Sequence, residues 1–226
     1  MNVEVEQISN TPSETNGIDE MIREFILDDH PCVMAQSLVA DDSLTIRNYQ
    51  KLDISKTKNL ISDLEDYVNS IDDDSKKFQT FIATFEDDSF DSELEFENAL
   101  WKLLYNLHKV DSQPWDKTTS PDTASSKFSF SLLGNSFYIV GMHPKSSRKA
   151  RSAPFPMIVF NLHHQFELLR SSNRYTRVRD LIRKRDEKFQ GSINPMLKDF
   201  GKNSEARQYS GRAVEKDWKC PYNFDK

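Results

Sequence analysis

Only two of the 226 residues are cysteine and only six are glycine. Cys32 and Cys220 are too distant for a metal knuckle and too few for a disulfide framework, so both are expected as reduced thiols. A glycine-rich phosphate loop and a nucleophile elbow are both missing. The chain also lacks a His-x-x-x-His or His-Glu-x-x-His pair with a matched acid, which leaves a zinc hydrolase with little support. No apolar run is long enough to cross a membrane. The segment MNVEVEQISNTPSETNG has neither the basic start nor the apolar stretch of a signal peptide, so a soluble cytoplasmic protein is expected.

What is present is charge, unevenly divided. Residues 1–111 carry 25 Asp and Glu against 9 Lys and Arg, while residues 112–226 carry 11 against 21. A basic half can serve nucleic acid, but here an acidic half can neutralise it, and the arginines are scattered rather than gathered into a stripe. Neither a nucleic-acid partner nor a membrane is expected. Two halves packed around a site that needs positive charge fit the pattern better.

Residues 1–16 are polar and aperiodic, as a disordered segment would be, and 17–226 are expected to form one domain. Ile18, Met21, Ile22, Phe25 and Ile26 recur at helical spacing, with a stop at Asp28-Asp29-His30-Pro31. Cys32 to Ala40 is short and mostly small and apolar, which suggests a buried strand or tight loop. Ser55 to Ile71 is amphipathic, with Asp53 or Ser55 as N-cap. FQTFIATF at 78–85 reads as a strand, and Leu94 to Leu107 as a helix with a broad apolar stripe. FSFSLL and SFYIVGM form a hairpin about Gly134-Asn135, and Pro156 to Leu162 supplies a further strand. Helices are expected over 163–170 and 174–188. The result is an α+β fold, a mostly antiparallel sheet of about four or five strands flanked by helices.

The stretch IVGMHPKSSRKARSAPFPMIVFNLHHQFELLR, residues 139–170, holds three of the five histidines beside β structure. Imidazole and guanidinium are costly to desolvate without partners, so an anionic or metallic guest is expected there. His143 falls at a strand end. His163 and His164 open a helix, and neighbours on a helix diverge by about 100°, so one of them at most faces a given centre. A single histidine can be the axial ligand of a haem without further spacing requirements. Ser146, Ser147, Arg148 and Arg151 form one anion-binding set, and Arg207 and Arg212 in SEARQYSGR a second. Arg170, Arg174, Arg177, Arg179, Arg183 and Arg185 are read as salt-bridged or solvated. Cys32 is either a thiolate ligand or a small buried hydrophobe.

His30-Pro31-Cys32-Val33, FSFSLLGNSFYIVGMHPKSSRKAR, PFPMIVFNLHHQFELLR, RDEKFQGSINPML, SEARQYSGR and the ending Trp218-Lys219-Cys220-Pro221 together resemble the YqcI/YcgG family. The family's Gly-x-His-Pro-x-Ser-Ser-Arg pattern falls on Gly141, His143, Pro144, Ser146, Ser147 and Arg148. Its Phe-Asn-Pro-His-x-x-Phe pattern falls on Phe160, Asn161, His163 and Phe166, with Leu162 in place of proline.

The resemblance implies a haem b enzyme that N-hydroxylates the guanidino group of arginine or an arginine-like amino acid, using O2 and an electron donor. It makes His163 the expected iron ligand, with His143, His164 and Cys32 as alternatives. Glu205 is expected to hold the substrate guanidinium, and Tyr209 to hydrogen-bond near the iron. Ser147, Arg148, Arg151, Arg207 and Arg212 are expected on haem propionates or the substrate carboxylate. Two rivals stand beside this: a non-catalytic haem sensor or carrier, and a cofactor-free binder of small anions or an acidic partner.

Overall fold

The computed structural model describes residues 12–72 and 77–224. The segment 1–11, most of the stretch expected to be disordered, lies outside the described residues. Residues 12–16 are helical, because α1 runs over Pro12–Leu27 and begins earlier than its apolar periodicity. It ends where Asp29 takes a positive φ ahead of Pro31.

The strand or loop expected over 32–40 is instead a helix, α2 (Val33–Ala40). Met34, Ala35, Gln36 and Leu38 are straight-chain or small residues that lose little freedom in a helix, and the segment lacks the alternation a strand needs. The sequence reading passes over β1 (Leu44–Asn48), a half-buried strand at the sheet edge. A 3-10 turn, Ile54–Lys56, precedes α3 (Thr57–Ser70), so the helix starts later than either expected cap. β2 (Thr80–Thr84) is wholly buried. In α4 (Glu93–Val110), Ser92 accepts a hydrogen bond from the Glu95 amide while Glu95 accepts one from the Asp91 amide, which satisfies two exposed donors of the first turn.

β3 (Phe130–Leu132) and β4 (Asn135–Met142) form the expected hairpin, but the turn is Leu133-Gly134 rather than Gly134-Asn135. Both turn residues have positive φ, as a two-residue primed turn requires. The Asn135 side chain, expected in the turn, donates to the Leu133 carbonyl from the first position of β4. β5 (Met157–Leu162) follows, then α5 (His163–Ser171) and α6 (Tyr175–Gln190), which ends at left-handed Gly191.

The strands lie in the order β1-β2-β5-β4-β3. Only β1 and β2 are parallel; the other three pairs are antiparallel. The fold is therefore α+β, as expected.

Alternation along the strands sorts side chains to two unlike faces. Phe81, Phe137, Ile139, Ile158, Phe160 and Leu162 point to α3 and α4, where they join Leu60, Leu64, Leu100 and Trp101 in one continuous core. Gly141 lets α4 approach β4. A Cβ there would lie 2.5 Å from Leu100 Cδ1 and 2.9 Å from the Tyr209 carbonyl oxygen. Ile82, Val140, Met142 and Val159 point the other way, toward α1, α2, α5 and α6.

Candidate functional site

On this second face the helices do not close onto the sheet, and a cavity of about 320 Å³ remains. Its floor is the sheet, through Thr80, Ile82, Tyr138, Val140, Val159 and Asn161. The floor's polar groups are satisfied within it: Thr80 Oγ1 donates to Asn161 Oδ1 at 2.7 Å, and Asn161 Nδ2 donates to the Tyr138 carbonyl at 3.2 Å. The walls are mostly apolar side chains of α1, α2, α5 and α6, with the segment Leu197–Phe200 closing one side.

His163 lines this cavity at the first position of α5 and is 6% exposed. Its Nε2 is buried without a hydrogen-bond partner, the nearest carboxylate oxygen, on Glu167, being 3.8 Å away. Burial holds the imidazole's pKa below its ordinary value despite Glu167, so the ring is neutral at pH 7. The Phe200 ring packs against it with centroids 4.5 Å apart. His164, one position on, is exposed. The helical divergence of the pair thus sends one imidazole inward and the other to solvent.

Glu205 lines the same cavity from a 3-10 turn, Glu205–Gln208, whose N-cap Ser204 accepts from the Ala206 amide. It is 4% exposed and has no ion-pair partner among the described residues. Burial pushes its carboxyl up to about 8, so it is mostly protonated at neutral pH. Glu167 and Arg170 act on both Glu205 and His163, which puts the carboxyl and the imidazole in one neighbourhood. Tyr138 lines the floor nearby, and its hydroxyl donates to Gln208 Oε1 at 3.0 Å. Sequence reading passed over Tyr138. Its position next to core-facing Phe137 in an alternating strand was the available signal.

Arg151 also lines the cavity and is 8% exposed. Nη1 donates to the Gly141 carbonyl at 2.9 Å, and no carboxylate among the described residues pairs with it. Cys32 lines the cavity as well, but burial raises its thiol pKa, which disfavours a free thiolate. His30 is fully committed: one ring nitrogen lies 3.0 Å from the Ala150 carbonyl and the other accepts from the Cys32 amide.

Several expected members stand elsewhere. His143 is completely buried but does not line the cavity; it stacks on Phe96 of α4, ring centroids 4.6 Å apart, toward the opposite face from His163. The anion-binding set around it is largely occupied by the protein itself. Both the amide and the hydroxyl of Ser147 donate to Glu93 Oε1, and Arg148 pairs with Asp186 at 2.5 Å and with Ser192. Arg148 still borders the cavity, with its charge already matched.

Arg207 holds the carbonyls of Glu215 and Trp218, and Arg212 is bound to Glu97 and Glu215. Those two arginines anchor the C-terminal segment rather than a ligand. Tyr209 is a core residue: its hydroxyl accepts from the Phe130 amide and contacts Glu205 at 3.4 Å, and its ring stacks on Trp101. It steadies Glu205 without facing the cavity.

The arginines of α5 and α6 are mostly engaged as expected, although their partners are local. Arg179 and Arg183 bind Asp199, and Arg170 binds Glu167, all within the basic half. The acidic half supplies Glu97 to Arg212 and Asp91 to Lys145.

Fold and site together define a class: an α+β domain holding an apolar cavity with an imidazole nitrogen, a carboxyl and a guanidinium that have no hydrogen-bond or ion-pair partner of matching charge among the described residues. The chain belongs to the YqcI/YcgG family, whose profile matches residues 19–223. It is similar to two proteins of Bacillus subtilis (strain 168). Identity to the uncharacterized protein YcgG is 28% over 218 residues, covering 91% of this chain and 86% of that protein. Identity to the uncharacterized protein YqcI is 28% over 204 residues, covering 85% and 80%. No solved structure gives a significant match.

Among the described residues no group of three or more His, Cys, Asp or Glu is arranged to hold a metal ion. A haem needs no such group. It asks for an apolar enclosure, one imidazole nitrogen not taken up by another hydrogen bond and cations for its carboxylates. The cavity wall, His163 Nε2 and Arg151 meet those three needs.

Proposed function

We propose that this protein is a haem-dependent monooxygenase that N-hydroxylates the guanidino group of arginine or an arginine-like amino acid. The observation that carries this reading is the placing of His163 and Glu205 together. An imidazole nitrogen with no hydrogen-bond partner and a buried carboxyl with no cation share one apolar cavity.

His163 would hold the haem iron through Nε2. Haem b, when bound, would supply the activation of O2, one atom of which passes to the substrate nitrogen while the other leaves as water, with two electrons from an external donor and two protons. The chain's own residues bind and orient the substrate. A neutral carboxylic acid at Glu205 loses its proton when a guanidinium arrives, and the resulting carboxylate accepts two parallel N–H bonds from the planar fork. The Tyr209 hydroxyl, fixed by the Phe130 amide, limits where that carboxylate can point. Apolar walls from α1, α2 and α6 keep bulk water from the reacting nitrogen.

The test is to incubate the haem-loaded, full-length protein with L-arginine, O2 and a reductase system, and to look for a product heavier by one oxygen atom. Glu205→Gln is expected to lower kcat/KM about a hundredfold, since a buried charge partner is worth a few kcal/mol, with an unchanged haem spectrum. Haem uptake with arginine left intact would favour a sensor or carrier. A protein that takes up no haem would overturn the proposal.

A further inference from the structure

Arg151 is a buried guanidinium without an acid. Its side chain cannot shed its proton as a lysine or histidine would, so the folded chain keeps an uncompensated positive charge against an apolar wall. The nearby acid is not available to it: Asp186 Oδ2 already accepts from Arg148 Nη2 and from the Asn194 amide. Among the described residues only the Gly141 carbonyl takes a bond from Arg151, which leaves the rest of the donor fork without a protein acceptor there. Arg212 shows what the same side chain looks like when its role is structural, bound by Glu97 and Glu215.

The surroundings of Arg151 also differ from those of Glu205. The charges acting on Arg151 are those of Asp186 and Arg148, while those acting on Glu205 are Arg170 and Glu167. Tyr138 is the cavity residue that feels both. Arg151 bonds the Gly141 carbonyl, while the Tyr209 hydroxyl that contacts Glu205 bonds the Phe137 carbonyl four residues back along β4, so the guanidinium and the carboxyl stand at different points along the strand, with Tyr138 on the floor between them.

We propose that Arg151 forms a carboxylate-binding subsite, separate from the Glu205 end of the cavity, whose ligand completes the guanidinium's missing ion pair. This deepens the reading above, from which it takes the two molecules that could bring a carboxylate: the amino-acid substrate and the haem, through a propionate.

The experiment compares wild-type, Arg151→Met and Arg151→Lys full-length protein across two ligand pairs. One pair is L-arginine and agmatine, which is arginine without its carboxylate, measured on haem-loaded protein. The other is haem and its dimethyl ester, in which both propionates are masked. Wild type is expected to favour the carboxylate-bearing member of at least one pair by about a hundredfold. Arg151→Met is expected to lose that preference while binding the carboxylate-free member as wild type does, which also reports an intact fold. Preference in the arginine pair assigns the subsite to substrate, and preference in the haem pair assigns it to a propionate.

Should Arg151→Met fail to fold, Arg151→Lys keeps the charge without the fork and is expected to lose at least tenfold of the preference. Should wild type bind neither haem nor any guanidino compound, the proposed function fails, and butanoate alone then decides the subsite. Butanoate should raise the thermal midpoint of wild type and not that of the variant that folds. A preference absent from wild type, a preference that survives in the variant, or an equal response to butanoate would each overturn the subsite.

Discussion

The two faces of the sheet use the same five strands for opposite ends. Toward α3 and α4 the side chains fill all the space: Phe81, Phe137 and Phe160 meet edge to face, and Trp101 stacks on Tyr209 with centroids 5.6 Å apart. Toward α1, α2, α5 and α6 the alternate positions are smaller or polar, and the helices leave a hollow. Buried polar atoms without a partner occur on both sides: Trp101 Nε1 and both ring nitrogens of His143 are sealed within the packed layer, where no ligand reaches them. His163 Nε2, the Glu205 carboxyl and the Arg151 fork instead border the cavity, whereas the charged Glu97 beside the packed core is bound by several donors. One face is closed by packing, and the other borders an open hollow.

If that division is right, truncation should cost far more on one face than on the other. Trp101→Ala is expected to destabilise by about 3–5 kcal/mol, whereas Phe166→Ala, at the half-buried cavity wall, should cost less than about 1.5 kcal/mol because no close-packed space is emptied. Urea unfolding of the ligand-free protein checks both, and equal losses would mean that the hollow is closed in solution. Arg212→Met should cost about 3 kcal/mol by leaving Glu97 buried without its cation, with haem uptake unaffected.

Glu205 sharpens the contrast through its sign with pH. Its carboxyl sits near 8 in the folded protein and about 4.3 in an unfolded chain, so the folded state binds more protons between those values and loses stability as pH rises through that window. Glu205→Gln should therefore match wild type near pH 4 and exceed it at pH 8 by about 4–5 kcal/mol. Thermal unfolding of ligand-free protein across that range measures the difference. A variant less stable than wild type at pH 8 would show that the carboxylate has a partner in solution. The smallest effect is expected for exposed His164: His164→Ala should change stability by less than about 0.5 kcal/mol and leave ligand binding as it is.

The same contrast explains how much could be read from the sequence. Periodicity announced the packed face, because Leu100, Leu103, Leu104 and Leu107 recur on one side of α4 and FSFSLL and SFYIVGM alternate as paired strands do. β1 gave little signal because an edge strand is only half buried, and α2 was misread because eight residues, six of them apolar, are too few to declare a helical period. At the site, His163, Glu205 and Arg151 were legible as residue types in motifs. Their convergence was not, since α5, the Glu205–Gln208 turn and the Lys149–Arg151 turn are distant in the chain and come together only in the folded protein, around one cavity. Nearness in sequence misled for His143. Twenty residues separate it from His163, yet it packs on Phe96 of the opposite layer. The arginines of SEARQYSGR misled for a related reason, because a ligand's carboxylate and a protein's own carboxylate or carbonyl attract the same fork.

The claim that the hollow face is a haem site anchored by His163 is tested most directly by visible spectroscopy of the purified full-length protein titrated with haem. The comparison is between wild type, His163→Gly and His143→Phe, with and without added imidazole. The account predicts one haem per chain with a histidine-type carbon monoxide spectrum for wild type and His143→Phe, loss of that species in His163→Gly, and its return when imidazole fills the gap. An unchanged spectrum in His163→Gly, or a loss in His143→Phe alone, would contradict it.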